Sequence, residues 1–171
     1  MPMPLSTLNS CDRETFVAAL GHLFERSPWV AEEGFERRPV RDRSHLHAEL
    51  CAVLRAAPRE RQLALIRAHP DLAGRLARAA DLTAESRREQ ASAGLDSMDA
   101  EEGAELERLN RAYRERFGFP FVICARLNDR RSILASMRQR LEHDAEEEID
   151  RALDEIEKIA ELRLRDAVEV G

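Results

Sequence analysis

Three features of the sequence predict an all-α fold. Ala, Leu, Glu and Arg dominate the 171 residues and glycines are few; 35% of the chain is charged and 43% apolar, the composition of a helix-rich protein able to bury one sizeable core. Apolar residues recur at helical spacing along most of its length. The one stretch that reads as a strand by propensity, Phe121 to Cys124, has no convincing partner elsewhere in the chain. Together these predict a single domain spanning residues 1–171, a bundle of about eight to nine helices with one extended Gly/Pro/Phe segment.

Composition also narrows the function. A formal net charge of −6 argues against non-specific nucleic-acid binding, while 27 basic residues against 33 acidic ones still permit a locally basic pocket for a small molecule. No apolar run approaches the ~20 residues of a membrane span, and MPMPLSTLNS at the start is not a signal peptide, so no membrane role and an intracellular setting are expected. Cys11, Cys51 and Cys124 are odd in number and show no CxxC spacing, which fits reduced thiols and no metal. His45 and His47, two residues apart, cannot share a helical face as a metal pair would.

The elements follow in order. Met1 to Leu8 reads as an irregular arm, after which Asn9 or Ser10 caps a helix carrying Phe16, Val17, Leu20, Leu23 and Phe24, stopped by Ser27-Pro28. Trp29, Val30 and Phe35 form a short helix or turn. A helix from about Asp42 to Ala56 buries Leu46, Leu50, Val53 and Leu54, and Pro58 opens the next. That one must end near Ala68, because Pro70 disfavours helical backbone at the residue before it. After an apolar segment, Leu76 to Ala80, Thr83 caps a helix from Ala84 to about Ala93 with Gly94 as its stop. Another runs from Asp99 to Arg116 with Leu106, Leu109 and Tyr113 on one stripe. Asn128 or Asp129 caps a helix carrying Ile133, Leu134, Met137 and Leu141, and the acidic run Glu142 to Asp150 starts a long last helix.

Four places carry possible chemistry. His69 sits at a helix exit, where free carbonyls favour protonated imidazole, a setting suited to a proton donor; the bland alternative is a capping residue before Pro70. Ser86, Glu89 and Gln90, spaced i, i+3, i+4, share one helical face, unless Ser86 and Glu89 are instead a capping box. Half of the six phenylalanines fall in Phe117 to Phe121, and the extended backbone that follows is a candidate pocket wall or a buried connector. Arg163 lies seven residues beyond Ile156 on the apolar stripe Ile149, Leu153, Ile156, Ala160. A guanidinium there needs an anion, either a protein carboxylate such as Glu89 or a substrate group, unless it snorkels to solvent.

HPDLAG at 69–74, SRREQASAGL at 86–95 and FGFPFVICARLN at 117–128 together resemble the family of 2-oxo-4-hydroxy-4-carboxy-5-ureidoimidazoline (OHCU) decarboxylases of urate degradation. The likeness extends through Leu109-Asn110-x-x-Tyr113 and Ile159-x-x-Leu162-Arg163-Leu164. It implies an all-α, homodimeric, cytoplasmic enzyme without cofactor or metal that converts OHCU into S-allantoin and carbon dioxide. The family's catalytic histidine, glutamate and arginine fall on His69, Glu89 and Arg163. Its substrate contacts fall on Pro70, on the run Ser86, Arg87, Arg88, Glu89 and Gln90, and on Phe121, Val122, Ile123, Cys124 and Ala125, so the extended segment would line the active site. A helical module that binds a ureide or small anion without turnover is the alternative, and it would have no use for a proton donor at 69. A helical adaptor for another protein would need an exposed apolar stripe, which the one-sided helices do not offer.

Overall fold

Side-chain caps set most of the helix boundaries in the computed structural model, which describes residues 1–72 and 82–169. The chain divides into two compact units, Met1–Ala68 with Glu157–Gly171, and His69–Ile156. The described residues are all-α, with one pair of two-residue strands as the sole exception. Among them no helix is long and apolar enough to cross a membrane.

The first unit holds α1 (Leu5–Ser10), α2 (Arg13–Leu20), α3 (Trp29–Gly34), α4 (Arg43–Ala56) and α5 (Arg59–Ala68), followed by the second half of α9 (Ala145–Ala167). Its amino-terminal arm is not irregular, as the sequence suggested. Residues 3–4 form β1 (Met3–Pro4), paired in parallel with β2 (Val168–Glu169), and α1 follows with Leu8 fully buried. Nor does Asn9 cap a helix: its amide donates to Val40 O at 2.9 Å and its carbonyl accepts from Val40 N at 2.8 Å, while Arg38 donates to Leu8 O and Cys11 O. These long-range bonds hold a segment whose local sequence specifies little. The cap of α2 is Asp12, which accepts from Thr15 N at 2.8 Å, and the helix stops at Leu20, leaving Leu23 in a 3-10 turn and Phe24 beyond it, both buried. At Gly34 a Cβ would stand 2.5 Å from Leu50 Cδ2, so any side chain there would make that buried methyl group shift. Asp42 caps α4, which starts close to the expected position, and α5 ends at Ala68 as expected.

The second unit contains α6 (Ala84–Ser92), α7 (Ala100–Phe117), α8 (Arg130–Arg140) and the first half of α9. Thr83 caps α6, Asp99 caps α7 in a capping box with Glu102, Asp129 caps α8, and Asp144 accepts from Glu147 N at the head of α9. Gly94 and Gly118 take left-handed conformations, φ 78° and 77°, just past α6 and α7, the conformation that only glycine adopts without penalty. Residues 120–124 lie in no helix, Cys124 is extended and, among the described residues, the stretch pairs with no strand, as predicted. The expectations for Ala73, Gly74 and the apolar segment Leu76 to Ala80 lie outside the described residues.

Candidate active site

His69 follows the last residue of α5 and is buried. The two residues after Pro70 are gripped from within the second unit. Asp71 O accepts from Gln90 Nε2 at 3.4 Å and its carboxylate from Arg114 Nε at 2.9 Å; Leu72 O accepts from Asn110 Nδ2 at 3.0 Å. The stretch that carries the histidine is therefore held by side chains of α6 and α7.

On α6 the predicted shared face is present. Ser86 and Gln90 are buried and Glu89 is half-buried beside them, whereas Arg87 and Arg88 point outward and are exposed. Thr83, not Ser86, is the cap, so the capping-box alternative falls away. Close to this face, α6 packs against the 3-10 turn Ala125–Leu127 that closes the extended segment. Burial, followed by the carboxylates of Glu155 and Glu89, pushes the Cys124 thiol up to about 11, so Glu89 lies near enough for its charge to act on the end of that segment.

All five residues from Phe121 to Ala125 are buried. Without a sheet, part of their backbone is held by side chains. Arg140 Nη1 donates to Val122 O at 2.7 Å with its guanidinium 4.2 Å from the centre of the Phe121 ring; Cys124 N donates to Glu155 Oε1 at 3.3 Å, and Cys124 O accepts from Asn128 Nδ2 at 2.9 Å. Glu148 in turn accepts from Arg140 Nε at 2.8 Å and from the Tyr113 hydroxyl at 2.5 Å, with His143 Nδ1 at 2.9 Å from its other oxygen. Burial, then the bond to Glu148, raises the Tyr113 phenol far above the usual tyrosine range, which keeps it a neutral donor. Among the described residues, the N–H groups of Phe121, Val122 and Ile123 have no acceptor.

Arg163 belongs to the first unit. It is buried, with Nη2 at 3.0 Å from Glu25 Oε2 and Nη1 donating to His22 O at 3.0 Å. The structure thus gives Arg163 a protein carboxylate that the sequence did not single out, and the snorkelling alternative is excluded.

A model of the OHCU decarboxylase family matches residues 9–165. The chain belongs to the OHCU decarboxylase family. It is 42% identical over 98% of its length to an OHCU decarboxylase from Amia calva, covering 95% of that protein, and 43% identical over 96% of its length to one from Mus musculus, covering 92% of it. A solved (S)-allantoin synthase superposes with a TM-score of 0.77 at 27% identity over 97% of this chain; this chain spans only 54% of that one.

Sequence reasoning missed Glu25, Arg140, Glu148 and Glu155. For the last two a signal existed: Glu148, Ala152, Glu155 and Ile159 alternate i+4 and i+3 on α9, and all four are buried. This is the same periodicity that exposed Arg163, read one stripe over. Arg140 carried the same signal, since Ile133, Met137 and Arg140 alternate i+4 and i+3 on α8 and all three are buried.

Proposed function

We propose that this chain decarboxylates OHCU to S-allantoin and carbon dioxide without a cofactor, and that residues 1–171 act as one family domain. The observation that carries the activity is the family match across residues 9–165, which includes every motif stretch. The geometry supports the roles of the residues.

In OHCU the carbon that loses carbon dioxide carries a hydroxyl and adjoins the C=N carbon, C5. As the C–C bond breaks, its electrons form a double bond to C5 and the C=N pair moves onto nitrogen, which is protonated. The hydroxyl then becomes the carbonyl, losing its proton, while C5 gains one. Because the substrate supplies its own electron sink, the protein is left with holding the carboxylate out of the ring plane, stabilising ring charge and protonating one face of C5. His69 is the proton donor. Glu89, flanked by Ser86 and Gln90, orients the substrate from α6; Pro70 and the exposed Arg87 and Arg88 complete the matching runs. The N–H groups along Phe121, Val122, Ile123, Cys124 and Ala125 donate to ring or ureido carbonyls, a role supported by the absence of acceptors for the first three among the described residues. The part of Arg163, binding an anionic or carbonyl group of the substrate, rests on the motif resemblance. A homodimer in the cytoplasm completes the reading, and sedimentation of the purified chain tests the dimer.

The deciding experiment adds freshly made OHCU and follows the circular dichroism of S-allantoin. Turnover by the wild type should fall by about 10²–10⁴ in His69→Ala, the range for a positioned general acid, and similarly in His69→Asn, which keeps a hydrogen bond but transfers no proton. Saturable binding of OHCU without turnover would make the chain a binding module instead.

A further inference from the structure

Two irregular segments need placing for the proposed reaction, the one that follows His69 and the one from Phe121 to Cys124. Residues 70–72 and 120–124 lie in no helix, and among the described residues no strand pairs with either. Both are held from one face of α7. Asn110 is buried and donates to Leu72 O at 3.0 Å, three residues beyond His69, while its own carbonyl oxygen is buried with no donor among the described residues. A leucine would pack at such a position without leaving an orphaned polar atom, so the single bond to Leu72 accounts for the residue. One turn later Tyr113, fully buried, donates to Glu148, which holds Arg140, which holds Val122 O; the Tyr113 ring also stands edge-on to Phe121 at 5.3 Å between centroids.

We infer that Asn110 and Tyr113 are positioning residues, through which α7 separately sets the His69 segment and the Phe121–Cys124 segment. Neither contributes an atom to the chemistry. Positions three apart lie on one helical face, so a single rigid element fixes two loops whose own sequences do not. The inference rests on the proposed reaction for its kinetic consequence, but the two grips can be measured without substrate.

The experiment therefore has two arms, with Asn110→Leu, Tyr113→Phe and a control, Leu50→Ala, that loosens the core of the first unit, to which neither grip belongs. In the first arm, amide exchange without substrate should quicken by about tenfold at Asp71 and Leu72 in Asn110→Leu, and at Phe121 to Cys124 in Tyr113→Phe, with little cross-effect. If either variant loosens both segments equally, or neither more than Leu50→Ala does, the inference is overturned whatever the enzyme does. In the second arm Asn110→Leu should lower kcat by about tenfold or more with KM nearly unchanged, because proton delivery suffers, while Tyr113→Phe should chiefly raise KM. Proportional loss in both parameters, matched by Leu50→Ala at equal melting temperature, would reduce the two residues to fold-keepers. A wild type that leaves OHCU untouched while the exchange pattern holds would sink the proposed reaction and leave the grips standing.

Discussion

Among the described residues, each unit contains one fully enclosed arginine–glutamate pair, and the two use the same device. In the first, Arg163 joins Glu25 to the carbonyl of His22 in a 3-10 turn; in the second, Arg140 joins Glu148 to the carbonyl of Val122 in an extended stretch. Side-chain exposures are 4% and 1% for the first pair and 1% and 0% for the second, so solvent screens neither. What differs is the use made of the guanidinium face. Arg140 is covered by the Phe121 ring, and its carboxylate also serves Tyr113 and His143, so the group is committed to the protein. Arg163 instead lies in the stretch Ile159-x-x-Leu162-Arg163-Leu164 that carries the family resemblance. Burial of a charge does not by itself separate the two pairs.

The sharpest test of this contrast is a matched pair of substitutions. Arg140→Met and Glu148→Ala each leave an unpaired charge in the core, so stability should fall by about 3–5 kcal/mol and the melting temperature by about 6–20 °C. Arg163→Met should cost stability in the same way through Glu25. Arg163→Lys separates the roles, because it keeps a charge for Glu25 but loses the planar fork: kcat/KM should drop by about 10²-fold with a near-native midpoint, whereas in Arg140→Lys activity should follow the folded fraction. If Arg163→Lys loses activity only in proportion to folded protein, the two pairs are equivalent and Arg163 is structural.

A smaller effect comes from Tyr113→Phe, which removes one of the donors to Glu148 but keeps the ring. Thermal unfolding should show a loss of about 1–3 kcal/mol, with Arg140 and His143 still bonded to the carboxylate. An unchanged midpoint would mean that the hydroxyl contributes nothing and that the second pair is no more committed than the first.

The smallest effects lie at two exposed caps, one in each unit. The backbone N–H of Thr15 holds the Asp12 carboxyl below its ordinary value, and that of Ser132 does the same for Asp129. For a depressed carboxyl the stabilisation is complete above the unfolded value, 3.8, and fades as pH falls through the lower folded value, so the helix heads of α2 and α8 should weaken only in acid below about pH 4. Asp12→Asn and Asp129→Asn keep an acceptor for the cap and should flatten that part of the acid titration, each within its own unit. An unaltered acid limb in both variants would show that the caps do not govern it.

Local signals were strong at most helix ends set by a side-chain cap, a proline or a glycine, with α2, capped by Asp12 and ended at Leu20, as the exception. Asp42, Thr83, Asp99, Asp129, Pro70, Gly94 and Gly118 set boundaries that the structure repeats nearly to the residue, because capping and backbone conformation are decided within four residues of chain. The amino-terminal arm failed for the opposite reason. Residues 1–10 hold no cap or periodicity strong enough to act alone, and their shape comes from Arg38, Val40 and Val168, which are tens of residues away or more.

The sequence by itself determined the all-α class, most helix ends, the family motifs and the place of Arg163 on the apolar stripe of α9, since each depends on spacing along one element or on the order of short stretches. Only the tertiary structure decided which anion meets Arg163, which side chains stand in for the sheet that Phe121 to Cys124 lacks, and that α7 grips the chain beyond His69. Those bonds join residues far apart in the chain, Asn110 to Leu72, Tyr113 to Glu148, Arg163 to Glu25. A hydrogen bond constrains atoms within about 3 Å of each other and leaves no period in the sequence between them.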